Sequence, residues 1–420
     1  MQPMDLAALR AVCAEPYGFW LDSALVDARL GRRSFWGIEP SLVLRSFGRR
    51  IEVERARGGM ERFEGDPFEV LRELLAEHGG RRGGGAVGYL GYGLKQHLER
   101  LPDTVVDELG LPDCCLAFYD KVRVADPRPL APPTPPPGER WWPERWSSTF
   151  TRDAYESAVG QALAYIREGE IYQVNLSQRF QAPYAGDLFE AFLRLRTHSP
   201  APFGAFLRYA DFAVLSSSPE RFLRYEPRGR LIETRPIKGT RPRGRDGAED
   251  RALAAALEAS EKDRAENLMI VDLERSDLGR VAEIGSVVVP RLWQLESYAT
   301  VHHLTSTVRA RLGADCDIVD LLRATFPGGS ITGAPKIRAM QIIDELEPVA
   351  RGVYTGAIGY IRFDGSMDLN VAIRTMVLKD GLASFHVGGG IVADSDPAME
   401  YEETLHKGAG MARVLLAEGC

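Results

Sequence analysis

Lys238 lies in Thr234-Arg235-Pro236-Ile237-Lys238-Gly239-Thr240-Arg241-Pro242-Arg243-Gly244-Arg245, beside a glycine inside a strongly cationic segment. Neighbouring guanidinium groups and partial burial both disfavour an ammonium ion, and the neutral amine is a nucleophile. Taken alone, the run also fits an arginine-rich surface loop. Carboxylates elsewhere in the chain weigh against that plainer reading. Glu220, in Ser216-Ser217-Ser218-Pro219-Glu220-Arg221-Phe222, precedes the strand-like Leu231-Ile232-Glu233-Thr234, and two strands joined by a short turn would bring it towards Lys238. Glu266 falls on one helical face with Ile270 and Leu273. A carboxylate on an apolar stripe costs free energy unless it is paired, protonated or bound to metal. Glu400, Glu403, Lys407 and Met411 share a face of a helix opened by Asp396-Pro397. Such a face is usually a solvated ladder of ion pairs, but this one runs into Met411 and Val414, which should be buried. Carboxylates without histidine or cysteine partners suit Mg2+.

Cations and bare amides form the second group. Asp368 to Lys379 alternates, with Leu369, Val371 and Ile373 against Asn370, Ala372 and Arg374, and Asp380-Gly381 is a hairpin turn signal. A turn centred there sets Arg374 across from Val387, beside Gly388-Gly389-Gly390. A guanidinium next to exposed amides is the chemistry of a carboxylate site. Phe326-Pro327-Gly328-Gly329-Ser330-Ile331-Thr332-Gly333-Ala334-Pro335-Lys336 opens a helix and lacks the Lys-Ser/Thr of a Walker loop. It is either a tight structural turn or an anion-binding helix start. Together these groups suggest a small carboxylate-bearing substrate held partly through Mg2+.

The elements that must carry them are partly legible. Thr151 caps a helix that should stop near Gly169, and Tyr172, Val174 and Leu176 alternate with Gln173, Asn175 and Ser177 in a strand with one polar face. Residues 248–259 read as an alanine-rich helix, and Ser260 caps another through about Arg275. Residues 1–125 read mostly as strands with turns. A proline-rich linker fills 126–146, where Trp141, Trp142 and Trp146 pin it to a surface, and the catalytic region follows at 147–420. The 420 residues, 45% of them apolar, are ample for a large core, and the net charge of −7 argues against a general nucleic-acid binder. Five cysteines without metal-ligand spacing fit a reducing cytoplasm, and no apolar run of about 18 residues predicts a membrane span.

Longer stretches carry a resemblance. Residues 171–180 (IYQVNLSQRF), 217–222 (SSPERF), 234–244 (TRPIKGTRPRG), 263–280 (DRAENLMIVDLERSDLGR), 326–336 (FPGGSITGAPK), 356–360 (GAIGY) and 388–404 (GGGIVADSDPAMEYEET) resemble the superfamily of anthranilate synthase component I and aminodeoxychorismate synthase component I. Residues 1–125 match more loosely. Within that superfamily Lys238 resembles the aminodeoxychorismate branch, since anthranilate and isochorismate synthases carry alanine there. Gln173 stands where isochorismate and salicylate synthases have a water-activating lysine, and it cannot act as a general base.

The resemblance implies an α+β fold of two large packed antiparallel β-sheets flanked by helices, and Mg2+ held by Glu266 and Glu403, with Glu400 direct or through water. It implies that Lys238 attacks chorismate while Glu220 protonates the leaving hydroxyl, and that ammonia then expels the lysine. Arg374 and Tyr354 would hold the enolpyruvyl carboxylate, Gly388, Gly389, Gly390 and Lys407 would assist at the ring carboxylate, and Gly239, Thr240, Ser330 and His303 match further substrate-contacting positions. Ser23, Arg33, Ser34, Phe35 and Pro202-Phe203-Gly204 resemble a tryptophan pocket. Nothing in the chain resembles a glutaminase, so a separate glutamine amidotransferase subunit is implied as the ammonia source. The product is aminodeoxychorismate, for para-aminobenzoate and folate. Two rivals stay open: an anthranilate synthase component I, and a non-catalytic module that binds anions or nucleic acid.

Overall fold

The structure is a computed structural model that describes residues 5–24, 30–31, 33–102, 104–127, 146–298 and 301–414. Two antiparallel sheets dominate, one of ten strands and one of twelve. The first runs in the order Gly333–Ala334, Gln173–Pro183, Leu382–Ile391, Thr375–Lys379, Phe212–Ser218, Phe203–Arg208, Phe19–Asp22, Ser34–Gly37, Arg123–Ala125. The second includes Ile237–Pro242, Val301–Arg311, Leu231–Arg235, Arg221–Glu226, Met367–Val371 and Ala357–Arg362, then continues into N-terminal strands. Residues on both sides of 126–146 therefore contribute strands to both sheets. Residues 128–145, with Trp141 and Trp142, lie outside the described residues; Trp146 packs edge-on against Phe385, with ring centroids 4.9 Å apart.

Between the sheets lies an apolar layer to which Phe19, Leu207, Val214 and Val377 contribute from one side and Val43, Tyr89, Ala117 and Ile358 from the other. The outer face of the ten-stranded sheet is covered by the helices Leu6–Ala14, Leu188–His198 and Pro397–Ala412, with Met411 and Val414 buried as expected. The strand Phe212–Ser218 is buried on both faces, which is why it reads as continuously apolar before its serines. Among the described residues no helix is long and apolar enough to cross a membrane.

The expected single strand over 368–379 is two strands in different sheets, Met367–Val371 and Thr375–Lys379. The chain crosses between them at Ala372-Ile373-Arg374, where Arg374 takes a left-handed φ of 49°. A second crossing lies beside it, from Ser218 in one sheet to Arg221 in the other. The two are tied by Ser218 Oγ donating to Val371 O at 2.6 Å, Val371 N donating to Glu220 O at 3.0 Å and Ser217 N donating to Arg374 O at 3.1 Å. Alternation carried on through the corner, so periodicity alone did not mark it. Lys379 pairs with Leu382 and Met376 with Phe385 across Asp380-Gly381, in the expected register, but the ladder ends there, so Arg374 does not pair across from Val387.

Three other expectations need adjusting. The polar residues of Gln173–Pro183 do not face solvent, since Gln173, Asn175, Ser177, Gln178 and Arg179 are all buried, whereas Tyr172 just ahead of the strand is 70% exposed. The helix capped by Ser260 runs to Gly279, one turn beyond Arg275. The N-terminal region holds two helices besides its strands, Leu6–Ala14 and Pro67–His78, the latter with Asp66 accepting from Phe68 N and Pro67 in the first turn.

Candidate active site

Lys238 sits on the strand Ile237–Pro242, whose pairing with Val301–Arg311 shifts register between Ile237 and Thr240. The bulge re-aims the lysine, and Gly239 makes it possible with a φ of 81°. A Cβ there would meet Asp263 and Leu257 at 2.9 Å, so the strand can lie this close to the helices Gly247–Ala259 and Glu261–Gly279 only with glycine. The lysine crosses to the second helix, where Nζ donates to Glu266 Oε1 at 2.7 Å. Gln173 Nε2 donates to the same oxygen at 2.6 Å. Arg235 and Arg241, expected to press on Lys238, have carboxylates of their own: Arg235 bonds Glu296, and Arg241 bonds Asp263 at 2.8 Å.

The strand Leu382–Ile391 closes the other side. Gln173–Pro183 pairs with it throughout, but the neighbouring strand has turned away at Arg374, so the register with Thr375–Lys379 ends at Met376 opposite Phe385. This leaves one edge of Gly388–Gly390 open. Lys407 Nζ donates to Gly388 O at 3.0 Å there and pairs with Glu403 at 2.6 Å. A Cβ on Gly389 would lie 2.9 Å from Glu400 and 3.6 Å from Glu403, and one on Gly390 would lie 2.7 Å from Glu266. The three predicted metal carboxylates thus flank two adjacent glycines, Glu400 and Glu403 on the Gly389 side and Glu266 on the Gly390 side. Burial pushes Glu266 and Glu403 up, but Lys238 and Lys407 respectively outweigh it and hold both below the usual glutamate range. Glu400 accepts from Ser395 Oγ at 2.6 Å and is raised, by burial first and then by Glu403. No group of three or more carboxylates, histidines or cysteines stands in ready ligand geometry among the described residues. The oxygen-only donor set nevertheless suits Mg2+, and the two lysines supply the positive charge that the carboxylates require.

Behind Lys238, Glu220 is buried at the sheet crossing. Burial raises it to about 7, against a hydrogen bond from Ser330 and the Lys238 charge. Its Oε1 accepts from Ile237 N at 3.4 Å. His303 pairs in register with Thr240 and shares a 2.9 Å hydrogen bond with its Oγ1; burial lowers the imidazole to about 3, so it is neutral. The Arg374 guanidinium acts on His303 through space, and its side chain has no ion pair or hydrogen bond among the described residues; loss of solvent lowers it to about 10. Tyr354 stacks on His386 with centroids 5.1 Å apart and the rings 10° from parallel, and burial raises its phenol to about 12.

Several supporting residues escaped the sequence reading. Arg351 is buried and pairs with Glu347 at 2.6 Å while donating to Asn175 O at 2.6 Å and Ile331 O at 3.0 Å, so it ties the Gln173 strand to the Ser330 loop. Its four-residue spacing from Glu347 was the available signal. Glu274 is buried two turns beyond Glu266 and accepts from Thr234 Oγ1 at 3.0 Å.

Of the predicted tryptophan-pocket residues, Arg33, Phe35, Pro202, Phe203 and Gly204 line a cavity of about 690 Å3. Ser23 and Ser34 do not line it; Ser34 Oγ accepts from the chain's own Trp20 at 2.8 Å. This cavity shares no residue with the carboxylate site.

The sequence pattern of the chorismate binding enzyme family matches residues 21–413. The chain is 42% identical to aminodeoxychorismate synthase component 1 of Escherichia coli (strain K12), over 93% of this chain and 92% of that one. It is 49% identical to the protein of the same name from Salmonella typhimurium, over 77% of this chain and 75% of that one. A crystal structure of anthranilate synthase component I from Streptococcus pneumoniae TIGR4 superposes with a TM-score of 0.79 at 32% identity, covering 93% of this chain and 94% of that chain.

Proposed function

Since the chain belongs to the chorismate binding enzyme family, we propose that it is the aminating component of a two-part synthase that converts chorismate and ammonia to 4-amino-4-deoxychorismate, the precursor of para-aminobenzoate and folate. The observation that carries this reading is the placement of Lys238, with its amino group at Glu266 and the buried acid Glu220 within range of its charge. Lys238 gives its ammonium proton to solvent, and the freed nitrogen lone pair adds at C2 of chorismate. The C4–O bond breaks, and the hydroxyl leaves as water with the proton of Glu220. Ammonia adds at C4, the C2–N bond to Lys238 breaks, and the proton lost by the new ammonium group returns to Glu220. Arg374, partly buried and without a carboxylate of its own, supplies the charge for the enolpyruvyl carboxylate, with Tyr354 beside it. Glu266 and Glu403, with Glu400 direct or through water, would hold Mg2+, which would supply electrostatic binding of the ring carboxylate.

The ammonia source we infer is a glutamine amidotransferase subunit in the same cytoplasmic compartment. The name "component 1" carried by the relatives implies a second component. The 690 Å3 cavity is proposed to hold a tryptophan-sized ligand.

The test is product analysis with chorismate, Mg2+ and ammonium chloride. Wild type should give aminodeoxychorismate, and without ammonia should show a chorismate-derived adduct by intact mass spectrometry. Lys238→Ala should lose both. Anthranilate as the product, or wild-type rates in Lys238→Ala, would overturn the reading in favour of an anthranilate synthase with direct ammonia attack.

A further inference from the structure

Two ammonium groups occupy the carboxylates assigned above to a divalent cation. Lys238 Nζ lies 2.7 Å from Glu266 Oε1, and Lys407 Nζ lies 2.6 Å from Glu403 Oε1. The two pairs differ in what each lysine keeps if it lets go. Lys407 is half exposed and retains Gly388 O at 3.0 Å. Lys238 is 11% exposed, and Glu266 is its one ion-pair and hydrogen-bond partner among the described residues. Glu266 Oε1 already takes Lys238 and Gln173, and the backbone of Gly390 packs against it. A divalent cation bound to Glu266 through either oxygen would lie within a few ångströms of the Lys238 ammonium, and two cations that close in a poorly solvated site repel strongly.

We propose that Lys238 and Mg2+ are alternative partners of Glu266, so that loading the cation expels the lysine from its resting ion pair and frees the side chain for the substrate. This rests on the Mg2+ reading given above. It makes metal loading a precondition of nucleophile release. It also assigns Glu266 a second task, parking the nucleophile while the site is unloaded.

The experiment is calorimetric titration of Mg2+ into the full chain without substrate, so the readout is independent of turnover. Lys238→Met should bind Mg2+ about tenfold more tightly than wild type, the scale of one competing ion pair removed from a poorly solvated site. Lys238→Arg retains a competing charge and should bind no more tightly than wild type. Lys262→Met is the control for general charge, because Lys262 acts on Glu400 and Glu403 through space. It should tighten binding less than about threefold. Since Lys238→Met leaves Glu266 without its cation, Mg2+ should also raise its melting temperature more than that of wild type. Unchanged or weaker affinity in Lys238→Met, or equal tightening by Lys262→Met, overturns the proposal while leaving the metal site standing. Absence of Mg2+ binding by wild type and Lys238→Met alike overturns the metal reading and this proposal with it.

Discussion

Glu220 and Glu274 are both buried carboxyls, and their surroundings give them different consequences. Glu220, raised to about 7 by burial, is the proton donor of the proposed reaction, so activity requires its protonated form. With free ammonia held constant, kcat/KM should fall as pH rises through about 7. Glu220→Gln should lower the rate by about 10²–10⁴-fold and abolish that limb of the profile; an unchanged limb in the variant would assign it to another group. Glu274 is raised well above the usual glutamate range, by burial first and by Glu220 second, with Asp277 adding to the effect and Thr234 and Lys336 opposing it. A folded-state value above the unfolded one means that this group's stability contribution is complete below the unfolded value and is lost as pH rises through the folded one. Glu274→Gln keeps the shape and removes the titration. It should therefore stabilise the chain increasingly from pH 5 to pH 8, by on the order of 1–3 kcal/mol at the alkaline end. Melting curves at the two pH values check the sign.

Among the elements, the helix caps and the hairpin were legible because each rests on local chemistry. Thr151, Ser260 and Asp396 all accept from the backbone of the first turn, and Asp380-Gly381 fixes its register. The corner at Ala372-Ile373-Arg374 was not, because both halves alternate in phase and only tertiary packing sends them to different sheets. The same applies to the polar face of Gln173–Pro183. Its residues are solvated or buried depending on partners more than a hundred positions away, such as Glu347 for Ser177 at 2.9 Å and Thr404 for Gln178 at 2.6 Å. The carboxylates of the site could be found from the apolar stripes they interrupt, and the Glu403–Lys407 pair from its i,i+4 spacing; the partnership of Lys238 with Glu266 could not, since nothing local joins them. Arg351 is another of these long-range ties. Arg351→Met leaves Glu347 charged and buried and releases the carbonyls of Asn175 and Ile331. Stability should fall by about 3–5 kcal/mol, measurable by urea denaturation; a loss under 1 kcal/mol would mean that the pair is not a structural tie.

For the molecule as a whole, the cysteines bear on where ammonia comes from. Cys13, Cys114 and Cys115 are buried and raised well above the usual thiol range by loss of solvent, so they are poor nucleophiles for a glutamine amide. No stretch of the chain resembles a glutaminase either, so the isolated chain should form product from ammonium salts and none from glutamine, and the proposed partner subunit should restore glutamine use. Glutamine hydrolysis by the purified chain would refute the division of labour. The pairing of Gln173–Pro183 with Leu382–Ile391 also bears on how the protein is made. The earlier strand leaves the ribosome roughly two hundred residues ahead of its partner, a delay on the order of 10–40 s at about 5–20 residues per second. Until then a long, internally facing edge has nothing to bond to, and such an edge recruits other strands. Nascent chains stalled before residue 382 should aggregate or bind holdase chaperones, whereas chains extended past residue 391 should resist proteolysis, so the triple glycine proposed to bind substrate also ends a vulnerable interval during synthesis.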